Sequence, residues 1–369
     1  MWRDGIANRF DRASNWFRDV NERGLKFVSQ ILVRRVGRDP LAFGPMSDPA
    51  LSSTAPSAPV PPKVSKAKVF ARRLFSTLIL WGVVLGGMFS GNKLLSDLVF
   101  IGILTVLAVV GLLEFYGLVE KEGLVCFKVL GLIGGVVLLI GTFLKFQGLL
   151  GIHETPSRVN DFEIIVLILF VLGLCFRQFL SKSNTKGILA ISTTLFGLLY
   201  VPWLLNFMQK IQFFPAIDGN GKYYLLYFIL VTKFSDTGAY LVGSLIGRHK
   251  MIPRISPGKT WEGFGGAIVV STGVSVLFAH LAKGSLPGMT LLHAVILGII
   301  LSTSAVVGDL IESIFKREAG VKDSGRFFPG IGGILDLLDS LLFNAPLMYL
   351  YLRHVLTNPA NLGAEGLGG

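Results

Sequence analysis

The residues best suited to chemistry lie in one charged, glycine-rich stretch, residues 313–339, between two apolar runs. The stretch interleaves four acidic and four basic side chains: Glu318, Asp323, Asp336, Asp339, Lys316, Arg317, Lys322 and Arg326. A stretch this polar between two membrane spans needs a reason, and the usual reason is chemistry on an anionic partner. Because carboxylates bind divalent cations and basic groups bind phosphates, this composition predicts a metal-phosphate site.

Two helix ends are expected to bring these carboxylates together. Asp309, Ser313 and Lys316 have the spacing i, i+4, i+7 and therefore share one helical face. Asp336 and Asp339, three residues apart, share a face of the next helix. Carboxylates that converge from two helix ends are suitable ligands for one or two Mg²⁺ ions.

A lattice of salt bridges that closes a helical hairpin is the alternative interpretation of the same charges. The glycines before the second helix favour the metal-phosphate site, because they open the backbone at a helix start, where anions bind. These candidate substrate-binding glycines are Gly330, Gly332 and Gly333.

An upstream apolar run contains a second charged pair, Lys233 and Asp236. The two residues lie three apart on one helix face, so a structural ion pair is one interpretation. The functional alternative is that both line the mouth of the same site, with Lys233 contacting phosphate.

The loop at residues 247–263 is basic and is broken by prolines and glycines. Its segment from Ser256 to Thr260 resembles a phosphate cradle, with exposed backbone N–H groups and the point charge of Lys259. The spacing of a Walker A motif is absent. Positive charge that only fixes membrane orientation is the alternative explanation of this loop.

The elements that must position these residues are membrane helices. The 369-residue chain is 51% hydrophobic and only 16% charged, and its mean hydropathy is +0.63, whereas soluble domains carry about 25% charged residues. We therefore expect an all-α polytopic membrane protein with about nine transmembrane helices. The apolar stretches that are long enough to cross the bilayer lie near residues 72–90, 97–119, 124–146, 162–180, 187–207, 223–246, 264–283, 290–308 and 334–353.

The net charge of +12 is concentrated before the first span. Residues 1–73 hold 14 Lys/Arg against six Asp/Glu, a net of +8, which predicts a cytoplasmic amino terminus. The chain is predicted to divide into four parts. Residues 1–38 form a basic segment that is either amphipathic or a solvated tail, and residues 39–68 form a Pro/Ser/Ala-rich linker. Residues 69–357 form a transmembrane domain, and residues 358–369 form a carboxyl-terminal tail. No folded basic domain accompanies the charge, so nucleic acid is not expected as a partner.

The loop charges support one orientation of the spans. With the amino terminus inside, the two charged loops face the cytoplasm, where nucleotides are available. A bacterial-type inner (plasma) membrane is the expected location.

The two cysteines, Cys126 and Cys175, lie in apolar runs and provide neither a disulfide framework nor a zinc site.

The charged stretch resembles the signature of the phosphatidate cytidylyltransferase (CDP-diacylglycerol synthase) family. That signature reads Ser-x-apolar-Lys-Arg, four residues, Lys-Asp-x-small, then Pro-x-His-Gly-Gly and Asp-Arg-apolar-Asp. The positions in register are Ser313, Lys316, Arg317, Lys322, Asp323, Gly325, Pro329, Gly332, Gly333, Asp336 and Asp339. Close likeness covers about residues 225–345 and includes the motifs at 235–240 and 256–263. Ile331 and Leu337 depart from it, since the family has His and Arg there.

The resemblance implies a reaction in which CTP and phosphatidate give CDP-diacylglycerol and pyrophosphate in the presence of Mg²⁺. It implies that Asp309 and Asp336 are metal ligands, with Asp339 and Asp323 as supporting carboxylates or ligands of a second metal ion. Phosphate contacts are then expected from Lys316, Arg317, Lys322 and Lys259, and a hydrogen bond from Ser313. Arg326 is the candidate that replaces the missing positive charge, and a homodimer in the lipid bilayer is expected by analogy.

Three other functions are compatible with parts of the sequence. A CTP-dependent kinase of a polyprenol or diacylglycerol would transfer the γ-phosphate and release CDP. A catalytically inactive homologue is suggested by Ile331 and Leu337. An ion-translocating protein would use Lys233 and Asp236, but it leaves the charged stretch at residues 313–339 without a role.

Overall fold

The computed structural model describes residues 82, 86–87, 89–148, 156–181, 186–217, 220–325 and 332–357. The predictions for residues 1–68, for most of the first span at 72–90 and for the tail at 358–369 lie outside this part of the chain. The proposed division into domains therefore stays a prediction.

The described residues are almost entirely helical, as predicted. Eight of their helical segments are long and apolar enough to cross a membrane, and they correspond to the second through ninth predicted spans. The α-helices are α1 (Lys93–Lys121), α2 (Lys128–Phe146), α3 (Pro156–Phe179), α4 (Gly187–Leu198), α5 (Leu204–Gln212), α6 (Gly221–Ile246), α7 (Trp261–Leu281), α8 (Leu291–Glu318) and α9 (Ile334–Tyr351).

Helices α4 and α5 form one continuous span, Gly187–Gln212. A π-helical turn joins them at Leu199–Trp203 and contains Pro202. Proline cannot donate a backbone hydrogen bond and its ring crowds the preceding turn, so a wider turn lets the span continue past it. A second π-helical turn, Leu352–Leu356, extends α9.

Several helices start at residues suited to capping. The side chains of Asn92, Thr260 and Thr290 accept hydrogen bonds from backbone N–H groups in the first turns of α1, α7 and α8. These bonds satisfy donors that have no partner inside a helix. The start of α7 is thereby fixed beside the loop that precedes it.

Helices α6 and α7 pack closely because glycines face each other across the contact. A Cβ at Gly238 would lie 2.7 Å from the carbonyl oxygen of Gly266. In the same way, a Cβ at Gly266 would lie 2.9 Å from the carbonyl oxygen of Gly238. Small residues at such crossings let membrane helices approach at backbone distance.

Helix α8 extends ten residues beyond the end of the predicted span at residue 308, as far as Glu318. Hydropathy measures only the part of a helix that suits hydrocarbon, whereas the backbone stays helical through the polar residues that follow. The side chains of Glu312, Ser313 and Lys316 lie on this extension and are buried.

A short antiparallel hairpin interrupts the helices between α6 and α7. Its strands are β1 (Lys250–Ile252) and β2 (Ser256–Thr260), with Lys250 opposite Thr260 and Ile252 opposite Ser256. Glu262 fixes the approach to the hairpin, since its carboxylate accepts hydrogen bonds from the backbone N–H groups of Arg248 and His249 at 3.1 and 3.2 Å. The sequence predicted a loop here, because strands of three and five residues carry little periodic signal.

A buried polar network lies at the other end of the bundle, where α3 begins and α5 ends. Lys210 and Glu163, both 5% exposed, form an ion pair with a 2.7 Å separation. Asn206 donates to the other oxygen of Glu163 at 2.8 Å, and Lys210 also donates to Asn160 at 3.0 Å. Hydrogen bonds on both charges offset part of the cost of burying them.

Candidate active site

A cavity of about 480 Å³ lies between the hairpin, the carboxyl-terminal halves of α6 and α8 and the amino-terminal ends of α7 and α9. It brings together residues from four separate parts of the chain. The predicted site residues among its lining are Asp236, Ser256, Lys259, Asp309, Asp336 and Asp339. Four aspartates and one lysine therefore face the same space, as a metal-phosphate site requires.

Three carboxylates form a compact group beside this cavity. Asp309, Glu312 and Asp339 each offer an oxygen, and these oxygens lie within 4.8 Å of one another. Glu312 and Asp339 are buried and Asp309 is partly exposed. Hard oxygen ligands at this spacing suit Mg²⁺. The sequence did not assign Glu312 to a metal, although its position three residues after Asp309 places it on a neighbouring part of the same helix face.

The close contact between α8 and α9 depends on Gly308. A Cβ at this position would lie 2.6 Å from the carbonyl oxygen of Asp339. Because glycine has no Cβ, the backbone of α9 can approach α8 directly before Asp309. This approach brings Asp309 and Asp339 from the two helices to the same place.

Asp336 is held by several donors at the amino terminus of α9. Its Oδ2 accepts from the backbone N–H of Gly333 at 2.8 Å and from both the N–H and the hydroxyl of Ser324 at 3.0 Å. Its Oδ1 accepts from Lys316 Nζ at 2.6 Å. As the third residue of the helix it satisfies an unpaired amide of the first turn.

Lys316 lies between two carboxylates. It forms ion pairs with Glu312, four residues earlier on α8, and with Asp336 on α9. The ammonium therefore connects the buried ends of the two helices. In this structure Lys316 neutralises protein carboxylates, a different partner from the substrate phosphate that the resemblance implies.

Asp309 also has a basic partner from the hairpin. Its Oδ2 lies 2.8 Å from Lys259 Nζ, which additionally donates to the carbonyl of Val306 at 3.1 Å. Ser313 donates to Oδ1 of Asp309 at 3.3 Å. The hairpin is thereby connected to α8 at the edge of the cavity.

Lys233 and Asp236 meet α9 and not only each other. Their ion pair is 3.7 Å long, whereas Lys233 donates to the carbonyl of Leu337 at 2.8 Å and to the hydroxyl of Ser340 at 3.2 Å. The hydroxyl of Ser340 also lies 3.4 Å from Asp236 Oδ2. The pair thus contributes to the contact between α6 and α9, and Asp236 lines the cavity.

Arg317 connects the end of α8 to the hairpin. Its Nε donates to the carbonyl of Ile255 and its Nη1 to the carbonyl of Val321, both at 3.1 Å. Lys322 and Asp323 are exposed on the segment that follows. That segment reaches the cavity through Ser324, which contacts Asp336.

The predicted glycine turn is described only in part. Gly332 adopts a φ of +115°, which favours glycine, and Gly333 precedes α9. The amide of Gly333 donates to Asp336. Arg326, Gly330 and Ile331 lie outside the described residues.

A further carboxylate reaches the site from α1 and was not predicted. Glu114 Oε2 accepts from the backbone N–H of Leu335 at 2.8 Å and lies 3.0 Å from the hydroxyl of Ser324. The two contacts span 221 and 210 positions of sequence. Nothing near Glu114 in the sequence marks it, apart from its being an acid inside an apolar run.

Known proteins are similar in sequence to this chain over most of its length. The sequence profile of the Cytidylyltransferase family matches residues 72–355. A phosphatidate cytidylyltransferase of Staphylococcus saprophyticus is 35% identical over 266 residues, which are 68% of this chain and 98% of that protein. Those of Staphylococcus haemolyticus and Staphylococcus aureus (strain COL) are 36% and 33% identical, over 60% and 67% of this chain and 92% and 97% of theirs.

The chain belongs to the cytidylyltransferase family. It is a membrane-embedded nucleotidyltransferase, and the family resemblance predicted from the charged stretch is confirmed.

Proposed function

We propose that this protein transfers the CMP group of CTP to phosphatidate, giving CDP-diacylglycerol and pyrophosphate. The observation that carries the proposal is the cavity in which Lys259 and four aspartates meet. The names of the staphylococcal relatives, together with their near-complete coverage, support the choice of phosphatidate as the acceptor.

The reaction needs little proton transfer from the protein. An oxygen of the phosphatidate phosphate is already anionic, and it attacks the α-phosphorus of CTP. A new P–O bond forms while the bond between the α-phosphorus and the bridging oxygen breaks, and the electron pair leaves with pyrophosphate. The main obstacle is repulsion between two anions, which positive charge and fixed dipoles reduce.

The donor set fits a divalent cation. Asp309, Glu312 and Asp339 are the residues that would hold Mg²⁺, with Asp336 at the edge of the same cavity. A bound Mg²⁺ would supply charge stabilisation at the phosphates. Lys259 is the basic residue best placed to exchange its contact with Asp309 for a substrate phosphate, and Asp323, Lys322 and Arg326 stay candidates on the adjoining segment.

The acyl chains would remain in the bilayer while the phosphate enters the cavity. The exposed side chains of Tyr240 on α6 and Trp261 on α7 lie at this end of the bundle, where aromatic residues suit the membrane interface. We place the cavity at the cytoplasmic face of a bacterial plasma membrane, because the basic loops on that side follow the positive-inside pattern. A homodimer stays a prediction by analogy.

The transferred group can be identified by labelling. Purified protein in mixed micelles with phosphatidate and Mg²⁺ is given α-labelled or γ-labelled CTP, and the lipid is extracted. Label in the lipid is expected from the α-position only. Label from the γ-position would identify a lipid kinase, and no lipid label from either position would contradict both transferase assignments.

The matched variant for this assay is Asp336→Asn. Loss of the charge removes one of the two carboxylate partners of Lys316 and weakens the contacts to Ser324 and Gly333, so α-label transfer is expected to fall at least about 100-fold. Glu122→Gln, an exposed residue after α1, is the control and should transfer label normally. Expression and membrane insertion of both variants are compared by immunoblot of membrane fractions.

A further inference from the structure

Glu114 connects α1 to the site through hydrogen bonds at the start of α9. It lies far outside the segment 225–345 that carries the family motifs, in a 29-residue apolar helix. A carboxylate inside such a helix is costly unless it has partners. Its partners here are the amide of Leu335, in the first turn of α9, and the hydroxyl of Ser324.

These two partners lie on either side of the glycine turn. Ser324 precedes residues 326–331 and Leu335 follows them, so one carboxylate contacts the chain before and after this stretch of sequence. The position at the amino terminus of α9 is also electrostatically favourable, because the helix dipole and the unpaired amides attract negative charge.

The neighbouring glycines are consistent with a fixed position for this carboxylate. A Cβ at Gly325 would overlap the carboxylate of Glu114, and the three atoms nearest to it all belong to Glu114. A Cβ at Gly333 would also overlap Glu114 and the hydroxyl of Ser324. Space at both positions is therefore occupied by the acid from α1.

Ser324 links this contact to the reacting site. Its N–H donates to Asp336, and its hydroxyl lies 3.0 Å from both Glu114 Oε2 and Asp336 Oδ2. A hydroxyl has one proton and can donate to only one of these carboxylates at a time. Ser324 thus contacts both the acid from α1 and Asp336.

We propose that Glu114 is a positioning residue that fixes Ser324 and the first turn of α9 so that Asp336 is correctly oriented at the cavity. This inference rests on the proposed function for its kinetic consequence. Its structural consequence, order in the segment around Ser324 and Leu335, can be measured without turnover.

The first test compares Glu114→Ala, Glu114→Gln and the control Glu122→Gln. In Glu114→Ala, kcat is expected to fall about 10- to 100-fold, as for other groups that orient a site residue, while KM for phosphatidate stays within about twofold. Glu114→Gln should recover most of the rate, because its amide oxygen can still accept from Leu335. An unchanged kcat in Glu114→Ala, or a Gln variant as slow as the Ala variant, overturns the proposal.

Hydrogen exchange provides the reading that does not need catalysis. Peptides covering residues 320–325 and 332–340 should exchange faster in Glu114→Ala, with α2 to α5 unchanged. If these peptides keep wild-type protection, or if exchange rises throughout the protein, Glu114 has no positioning role. If the wild-type protein shows no CMP transfer but these peptides still exchange faster in Glu114→Ala than in wild type, the proposed function is contradicted and the positioning role stands.

A double-mutant comparison tests the steric part. Gly325→Ala should lower kcat about tenfold in the wild-type background, because the new Cβ displaces the carboxylate. In the Glu114→Ala background the same change should cost no more than about twofold, since the space is then empty. Equal effects in the two backgrounds would contradict the contact.

Discussion

At the scale of single residues, the site joins two types of carboxylate with different surroundings. Asp336 has its oxygens committed to Lys316, Gly333 and Ser324. Asp309, Glu312 and Asp339 instead place oxygens close to one another. Like charges at this spacing repel, so a divalent cation would stabilise them strongly.

Glu312→Gln tests which carboxylates hold the metal. The Mg²⁺ concentration that gives half-maximal turnover is expected to rise about tenfold or more, because one anionic ligand is lost. Turnover is titrated with Mg²⁺ at saturating substrates. Glu318→Gln, an exposed residue at the end of the same helix, should leave the Mg²⁺ requirement unchanged, and the metal assignment fails if Glu312→Gln behaves in the same way.

Most candidate residues could be named from the sequence because they cluster within local motifs. Asp309, Asp336 and Asp339 are separated by few residues from the glycines and lysines that mark them. Glu114 could not be found in this way, since its partners lie 210 and 221 positions away. Its recognition requires knowing which helices are neighbours, and apolar spans carry little information about that.

At the scale of elements, the contact between α8 and α9 brings the acids together. The predicted spans identified the eight long helical segments of the described residues because long apolar runs are required to cross the bilayer. The hairpin between α6 and α7 was missed, because its strands are too short to carry a periodic pattern. The helical continuation of α8 past residue 308 agrees with the shared face expected for Asp309, Ser313 and Lys316. Gly308 then sets the distance between α8 and α9.

Gly308→Ala should weaken that helix contact. The added methyl would lie 2.6 Å from the carbonyl of Asp339, and overpacking of this kind costs about 1–3 kcal/mol. We expect a lower unfolding temperature in detergent together with a reduced kcat, because Asp339 is displaced relative to Asp309. Thermal unfolding and turnover are measured on the same preparation.

Gly273→Ala on α7 is the control, because a Cβ there meets nothing within 4 Å. It should leave the unfolding temperature equal or slightly higher, since alanine is the better helix former. A Gly308→Ala protein with unchanged stability and turnover would show that α8 and α9 can separate without consequence.

At the scale of the whole molecule, charge is buried at both ends of the bundle for different purposes. One end carries the cavity, whereas the network of Glu163, Lys210 and Asn206 lies at the other. In that network each charged group has several partners, and none of its residues lines the cavity at the other end. We therefore assign it to the stability of the fold.

Lys210→Met should separate stability from catalysis. Removal of one member of a buried pair leaves Glu163 without its counter-charge, which costs about 3–5 kcal/mol. The unfolding temperature should fall clearly, while kcat measured well below that temperature stays near the wild-type value. Lys283→Met, an exposed lysine at the same end, should change neither quantity, and a Lys210→Met protein of normal stability would contradict the structural role.

The contact between Glu114 and Leu335 also has a consequence for biosynthesis. Helix α1 enters the membrane early, whereas Leu335 is translated 221 residues later. At ~5–20 residues per second, the acid stays in the bilayer for at least ~10 seconds before its amide partner exists. The nascent chain consequently cannot complete its reaction centre until α9 has been inserted. A ribosome-bound intermediate that lacks α9 is therefore an unfinished enzyme, and its early helices must be kept from pairing with the wrong partners.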